Sequence, residues 1–232
     1  MAIQRRISKS KYVLAGVMTF MIFSLGLTLG IILDNYRLKW ADREIKKQEM
    51  EYSSLQFQYL YISTLKAGNE SCAVLSTALE KSTAQLGESL DRFLEYEKQT
   101  NINNGDYQII RRQYLNDNLR YWFFARRAEE LCDLDKVSVL YFHSLDYCEI
   151  CPRQGVILTY FKKVFDDRLL VFPINVDLES EESMITILRS RYNVSTYPTL
   201  IVEDRRFEGV VEKNELKGII CGAFSSTQPE CS

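Results

Sequence analysis

The chain opens on an unbroken apolar run. Tyr12 to Leu33 reads YVLAGVMTFMIFSLGLTLGIIL, 22 residues without a charge. At ~1.5 Å rise per residue, a helix of that length crosses the ~30 Å hydrocarbon core of a bilayer. The competing reading is a cleaved signal peptide, whose apolar region runs only ~7–15 residues and ends at a small-residue cleavage site. This run is longer, and no such site follows. The pattern predicts one retained span over 12–33, behind a short basic tail at 1–11.

Beyond the span the apolar period changes to helical. Leu38, Ala41, Ile45, Tyr52, Leu55, Tyr59 and Ile62 step by threes and fours, with Gln48 as the one polar break. This is a heptad seam. Gly68-Asn69 interrupts it. A second helix is expected over about 70–99, with Cys72, Leu75, Leu79, Leu86, Leu90 and Phe93 on one face. Asn101-Ile102-Asn103-Asn104-Gly105 is a turn cluster. A third helix over about 106–131 carries Ile110, Tyr114, Tyr121, Phe124, Ala128 and Leu131. The expectation is a helical stalk over 34–131, its first helix at about 34–67. Helices two and three form an antiparallel hairpin. Helix one joins them or pairs with another copy, so a homo-oligomer through the stalk is one expected partnership. Tyr121-Trp122-Phe123-Phe124 covers too much of its helix to face one way, so part of it packs on the next domain or on a partner.

From Val137 the pattern alternates between strand and helix. Val137–Phe142 is a continuous β-prone run, as in a buried parallel strand. Val156, Tyr160, Phe161 and Val164 follow at helical spacing, then Leu169–Phe172 as a strand and Ser183–Tyr192 as a helix capped by Asn193. Thr199–Val202 and Phe207–Val211 read as strands about a turn at Asp204-Arg205-Arg206, and Asn214–Cys221 as a closing helix. The order βαβ, α, ββα predicts an α/β domain over 136–222 with a tail at 223–232.

Charge and composition narrow the chemistry. The balance of 29 basic and 31 acidic residues leaves no electrostatic footprint for nucleic acid. A single histidine disfavours His-based metal sites and Ser-His-Asp triads. Around the span, Arg5, Arg6, Lys9 and Lys11 precede and Arg37, Lys39, Arg43, Lys46 and Lys47 follow, nearly balanced under the positive-inside rule. The short basic tail favours a cytoplasmic N-terminus with the bulk of the chain outside.

Six cysteines are too dilute for a disulfide-built mini-protein, yet their positions are informative. Cys72 lies 31 residues before Asn103 and Cys132 lies 29 after it. Residues equidistant from a hairpin turn sit side by side, which favours a disulfide over two unrelated buried thiols. Such a bridge argues for an oxidising compartment. Cys221 and Cys231 either pin the tail by a disulfide, bridge to another chain, or serve as a relay pair for the remaining two cysteines.

Those two form Cys148-Glu149-Ile150-Cys151 at a strand-to-helix junction, a redox signature. The spacing puts both sulfurs on the first helical turn. Free N–H groups and the helix dipole stabilise a thiolate there. Cys148, at the more exposed end, attacks and forms a mixed disulfide, which Cys151 resolves. Zinc requires four ligands, and a second C-x-x-C is missing. A purely structural bridge closing so short a loop stabilises little.

Residues from about Val137 to Ile220 resemble the thioredoxin family, through Cys148-Glu149-Ile150-Cys151 and through Tyr197-Pro198-Thr199 ahead of a strand. The combination with a span is similar to membrane-anchored, extracytoplasmic thioredoxin-domain proteins of archaea and bacteria. The resemblance implies a thioredoxin-like fold, a cis Pro198 facing the cysteines, and Tyr147, Tyr197, Pro198 and Thr199 as substrate-binding positions, with Tyr197 offering its backbone to a substrate strand. It implies a membrane-anchored thiol–disulfide oxidoreductase acting on protein thiols and disulfides with an unidentified redox partner, without cofactor or metal. Departures are Tyr147 for the usual Trp, Glu149-Ile150 for Gly-Pro, and Phe142 where a buried acid often accepts the proton. Glu149 opposes the dipole and raises the Cys148 pKa. His143 is a proton-shuttle candidate or a core-edge histidine. The family's extra N-terminal strand and helix are not visible, and helix three is expected over that sheet face. Two other readings stand: a redox-inactive scaffold that kept the fold, and a coiled-coil oligomer with a thioredoxin cap.

Overall fold

A computed structural model describes residues 9–98, 104–132 and 134–231. The tail over 1–8 and the turn residues Asn101, Ile102 and Asn103 lie outside them, as do the side chains of Lys9, Lys11, Arg37, Leu38, Ala41, Ile45, Gln48 and Tyr52. The chain divides into two compact units, residues 1–64 and 65–232.

The described part of the first unit is one continuous helix, α1 (Lys9–Thr64). Tyr12–Asp34 within it is long and apolar enough to cross a membrane, with a mean hydropathy of 2.2, and none of it is buried. The helix runs on without a break into the heptad region.

The second unit begins with α2 (Asn69–Glu97) and α3 (Asn104–Cys132), packed as a hairpin. The seam of α2 differs from the one expected. Leu75 is buried, but so are Ser71, Ser82 and Ser89, whereas Leu86 and Leu90 are only half-buried. Small side chains let the helices approach closely. Two of these hydroxyls are satisfied locally, Ser71 on the Lys66 carbonyl at 2.6 Å and Ser89 on the Leu86 carbonyl at 3.1 Å. Hydrophobicity alone misplaces such a seam.

Helix α3 is buried nearly all round between Asp117 and Ala128 because it lies between α2 and a sheet. Leu115, Leu119, Trp122 and Ala125 share one core with Leu140, Phe142, Leu170 and Phe172. The Tyr121 ring meets Phe172 edge-on at 5.5 Å. This is the sheet face over which helix three was expected, and residues 65–232, across the expected boundary between stalk and domain, form one compact unit. Helices α2 and α3 belong with the sheet because α3 supplies one of its core layers.

The sheet has the order β2-β1-β3-β4. β1 (Val137–His143) pairs parallel with β2 (Leu169–Asn175) and antiparallel with β3 (Thr199–Val202), which pairs antiparallel with β4 (Arg205–Glu208). α4 (Cys151–Phe165) and α6 (Lys213–Cys221) cover one face over Val139, Tyr141 and Leu200. α3 and α5 (Ser183–Tyr192) cover the other. α5 ends on Asn193 in the left-handed conformation. The buried face of α4 is Gln154, Leu158, Phe161 and Phe165; of the expected Val156, Tyr160, Phe161 and Val164, Phe161 is buried and Val164 packs partly on the core, while Val156 and Tyr160 are exposed.

The hairpin also differs from expectation. Its turn is Glu203-Asp204, both at positive φ, so β4 starts two residues earlier than the sequence suggests. Side chains hold this conformation in place of the usual Asn-Gly. The Glu203 carboxylate accepts from the Ser138 N–H at 2.7 Å. Asp204 accepts from Arg126 and from the Tyr192 hydroxyl, each at 2.7 Å.

Candidate functional site

Strand β1 ends at His143, and the chain turns over the C-terminal end of the sheet before α4 begins. Cys148 and Cys151 are joined by a disulfide, with Cα atoms 5.4 Å apart. The sulfurs do not share the first helical turn. Cys148 lies in the turn ahead of α4, Cys151 is its first residue, and the Cys151 N–H donates to the Cys148 carbonyl at 3.4 Å. Cys151 is 2% exposed and Cys148 9%, so both are buried and Cys148 is the less so. Around them Leu145, Tyr147 and Ile150 are exposed, Tyr147 at 86%. Glu149 is exposed too, so solvent screens its charge.

The Cys148 loop is built on two residues that hydrophobic patterning does not find. The Ser144 hydroxyl donates to Asp177 at 2.6 Å and accepts from the Asp146 and Tyr147 N–H groups at 3.1 and 2.8 Å. Asp177 also accepts from the Leu145 N–H at 2.7 Å. A serine just past a strand end is the local signal for such a turn. Asp177 lies more than thirty residues away in sequence, and only the parallel β1/β2 pairing brings it here.

Beneath Cys151 lies Tyr141. Its hydroxyl donates to the Cys151 carbonyl at 2.6 Å, and its ring packs against Gly155 and stacks on His143 with centroids 4.9 Å apart. Burial pushes the phenol up to about 12, so it stays a donor at every physiological pH. Burial, reinforced by the Arg111 charge and opposed by Asp177, pushes His143 down to about 4. A histidine neutral at pH 7 with so low a pKa is a poor proton carrier for a thiol. Phe142 is fully buried in the core with α3, so that position supplies no acid.

The peptide bond Tyr197-Pro198 is cis. It precedes β3, whose Thr199 pairs with Phe142 at the end of β1 from which the cysteine loop departs. Thr199 is buried, and its hydroxyl donates to the Thr196 carbonyl at 2.7 Å. The Pro198 carbonyl accepts from the Gly209 N–H at 2.8 Å. The sheet thus brings the Cys148 loop and the 197–199 segment to one end.

The other four cysteines lie elsewhere. Cys72 bonds Cys132 across the foot of the α2–α3 hairpin with Cα atoms 5.5 Å apart. Cys221 bonds Cys231, so the tail folds back on α6. Asp135 holds the same tail by accepting from Ser225 and Gln228. Among the described residues no cluster of His, Cys, Asp and Glu is arranged to hold a metal.

No protein-family profile matches the chain, and no curated protein does. Solved structures similar to part of it are thioredoxin-like. The germline thioredoxin Deadhead of the fruit fly is 24% identical, over 44% of this chain and 92% of that one, with a TM-score of 0.33. Chloroplastic thioredoxin z is 17% identical, over 43% of this chain and 88% of that one, with a TM-score of 0.34. A thioredoxin-like protein of Clostridium perfringens is 19% identical, over 40% of this chain and 75% of that one, with a TM-score of 0.34. At such identities and TM-scores the activities of those proteins are not carried over to this chain.

Proposed function

We propose that this chain is a membrane-tethered thiol–disulfide oxidoreductase working through Cys148 and Cys151. The observation that carries the reading is the bridged pair at the mouth of a β-to-α junction, both residues buried but Cys148 the more exposed of the two. With the pair reduced, the Cys148 thiolate attacks a substrate disulfide. A Cys148–substrate bond forms, and one substrate sulfur leaves as a thiolate that takes a proton. Cys151 then loses its proton and attacks Cys148, releasing the second substrate thiol and leaving the bridge described above. Two electrons pass to the substrate, and the reverse sequence oxidises a dithiol. Tyr147, Tyr197, Pro198 and Thr199 flank this path as substrate-binding positions.

The span over 12–34 anchors the protein in the cell membrane with its N-terminus in the cytoplasm and the second unit outside. All six cysteines are in disulfides, which fits an oxidising compartment. The heptad region of α1 pairs with a second copy.

The test is equilibration of the full-length chain in detergent with glutathione buffers. One two-electron transition, lost in Cys148→Ser, is expected, and Cys151→Ser accumulates a mixed disulfide on Cys148. A pair that never equilibrates would mark a scaffold that keeps the fold without the exchange.

A further inference from the structure

One polar side chain breaks the apolar face that α4 lays on the sheet. Gln154, three residues past Cys151 in the first turn of that helix, is 0% exposed and shares the buried face with Leu158, Phe161 and Phe165. Its Oε1 accepts from the Val211 N–H at 2.7 Å. A backbone N–H can only donate, so this bond fixes which way the amide is turned. Its Nε2 is buried and, among the described residues, has no hydrogen-bond partner. An orphaned buried donor costs stability, and a residue that breaks a local rule at such a cost points to a demand of function.

The Val211 bond reaches the segment that follows β4. The β3–β4 ladder pairs Thr199 with Glu208, and the Gly209 N–H extends it by one bond to the Pro198 carbonyl at 2.8 Å. Gly209 then turns at φ 75°, a conformation that favours glycine. Val211 is buried in the same core as Leu158 and Phe161 of α4. Residues 209–211 are therefore a bracket, held at one end by cis Pro198 and at the other by Gln154. Arg153 and Glu212 span the same gap at 2.5 Å, but both are exposed and solvent screens the pair. The buried amide is the bond that fixes the bracket to the helix that begins at Cys151.

Resting on the redox reading above, we propose that Gln154 is a positioning residue for polypeptide substrates. Through Val211 and Gly209 it sets the register between α4 and the 197–199 segment. That register decides where a substrate strand paired to the Tyr197 backbone presents its sulfur to Cys148. The length of the side chain is the critical property. Asn at this position keeps the amide but falls one methylene short of the Val211 N–H. Glu keeps both the reach and an acceptor oxygen, and burial holds its carboxyl protonated. A small disulfide has no peptide backbone to pair with Tyr197, so it serves as the internal reference.

The test mixes the reduced full-length chain in detergent with two disulfides of thionitrobenzoate. One is formed with a glycine–serine peptide carrying a single cysteine, the other with 2-mercaptoethanol. Release of thionitrobenzoate is read by absorbance, and the ratio of the two second-order rate constants is compared between variants. The parent should favour the peptide about tenfold. Gln154→Met and Gln154→Asn should each cut that preference to about twofold or less, and Gln154→Glu should keep it. Gly209→Ala, strained at its positive φ, should lower it from the other end of the bracket. Equal rates on the two disulfides in the parent would overturn the proposal. So would a preference lost in Gln154→Glu as fully as in Gln154→Met, or one unchanged in Gln154→Met, Gln154→Asn or Gly209→Ala. A fall of both rate constants together at an unchanged ratio is the mark of a merely structural role and overturns it as well. Failure of the parent to release thionitrobenzoate from either disulfide would instead overturn the redox reading itself.

Discussion

The bridge between Cys72 and Cys132 makes a sharp energetic prediction. It links the first turn of α2 to the last residue of α3 across a sequence separation of 60. In the chain-entropy account, restricting an unfolded loop of that size stabilises the fold by about 4 kcal/mol. The Cys221–Cys231 bridge, separation 10, gives about 3 kcal/mol on the same scale. The Cys148–Cys151 bridge, separation 3, gives under about 2 kcal/mol. For a unit of this size, 4 kcal/mol corresponds to a shift of about 8–16 °C in Tm. The perturbation is the double variant Cys72→Ser/Cys132→Ser in the full-length chain. The assay is thermal unfolding in detergent, followed by the fluorescence of Trp122, which is buried in the core that α3 shares with the sheet. Thiol exchange at Cys148 should persist, because that loop is held by Ser144 and Asp177 instead. An unchanged Tm against the oxidised parent would refute the reasoning. A loss larger than that for Cys221→Ser/Cys231→Ser supports the loop-length ranking, and the reverse order breaks it.

Tyr141→Phe removes one donor from the Cys151 carbonyl and should cost about 1 kcal/mol in urea denaturation. It should also raise the Cys148 pKa, read by thiolate absorbance near 240 nm, because the carbonyl dipole beside the sulfurs is no longer countered; an unaltered titration would reduce Tyr141 to packing. Ser144→Ala leaves the Asp146 and Tyr147 N–H groups without their acceptor and should cost about 1–3 kcal/mol and slow exchange several-fold; amide hydrogen exchange at Tyr147 equal to the parent would count against this. Glu129 is raised to about 7 by burial and by its neighbour Glu203. Its folded form holds a proton that the unfolded chain gives up near 4.5, so this stability is full below 4.5 and is lost as pH rises through 7. Glu129→Gln should therefore flatten the fall in Tm between pH 5 and 8, and an unaltered slope would refute the assignment. His143 acts in the opposite sense: its folded pKa of about 4 lies below 6.5, so its stability is present above 6.5 and is lost as pH falls through 4, and His143→Gln should resist acid unfolding better than the parent.

Much of the architecture was legible in the sequence because it depends on neighbours along the chain. An uncharged run of 22 residues is a local property, and so is the left-handed cap at Asn193. The pairing of Cys72 with Cys132 needed only a count from either side of a turn. The spacing of Cys148 and Cys151 likewise needed no knowledge of the fold. What failed was whatever depends on a surface supplied from elsewhere. The seam of α2 runs through serines because α3 lies close against them, and periodicity in hydrophobicity does not register small polar side chains. The turn at Glu203-Asp204 adopts positive φ because Arg126, Ser138 and Tyr192, distant in sequence, hold its carboxylates. Helix α3 lies over a sheet face as expected, but that α2 joins the same compact unit through it shows only once that face is in view. The sequence by composition and spacing marks a run long and apolar enough to cross a membrane, the helical stretches after it and the positions of the sulfurs. That Asp177 and Tyr141 support the cysteine loop shows only in the fold, because hydrogen bonds and burial between distant segments exist only once the strands have paired.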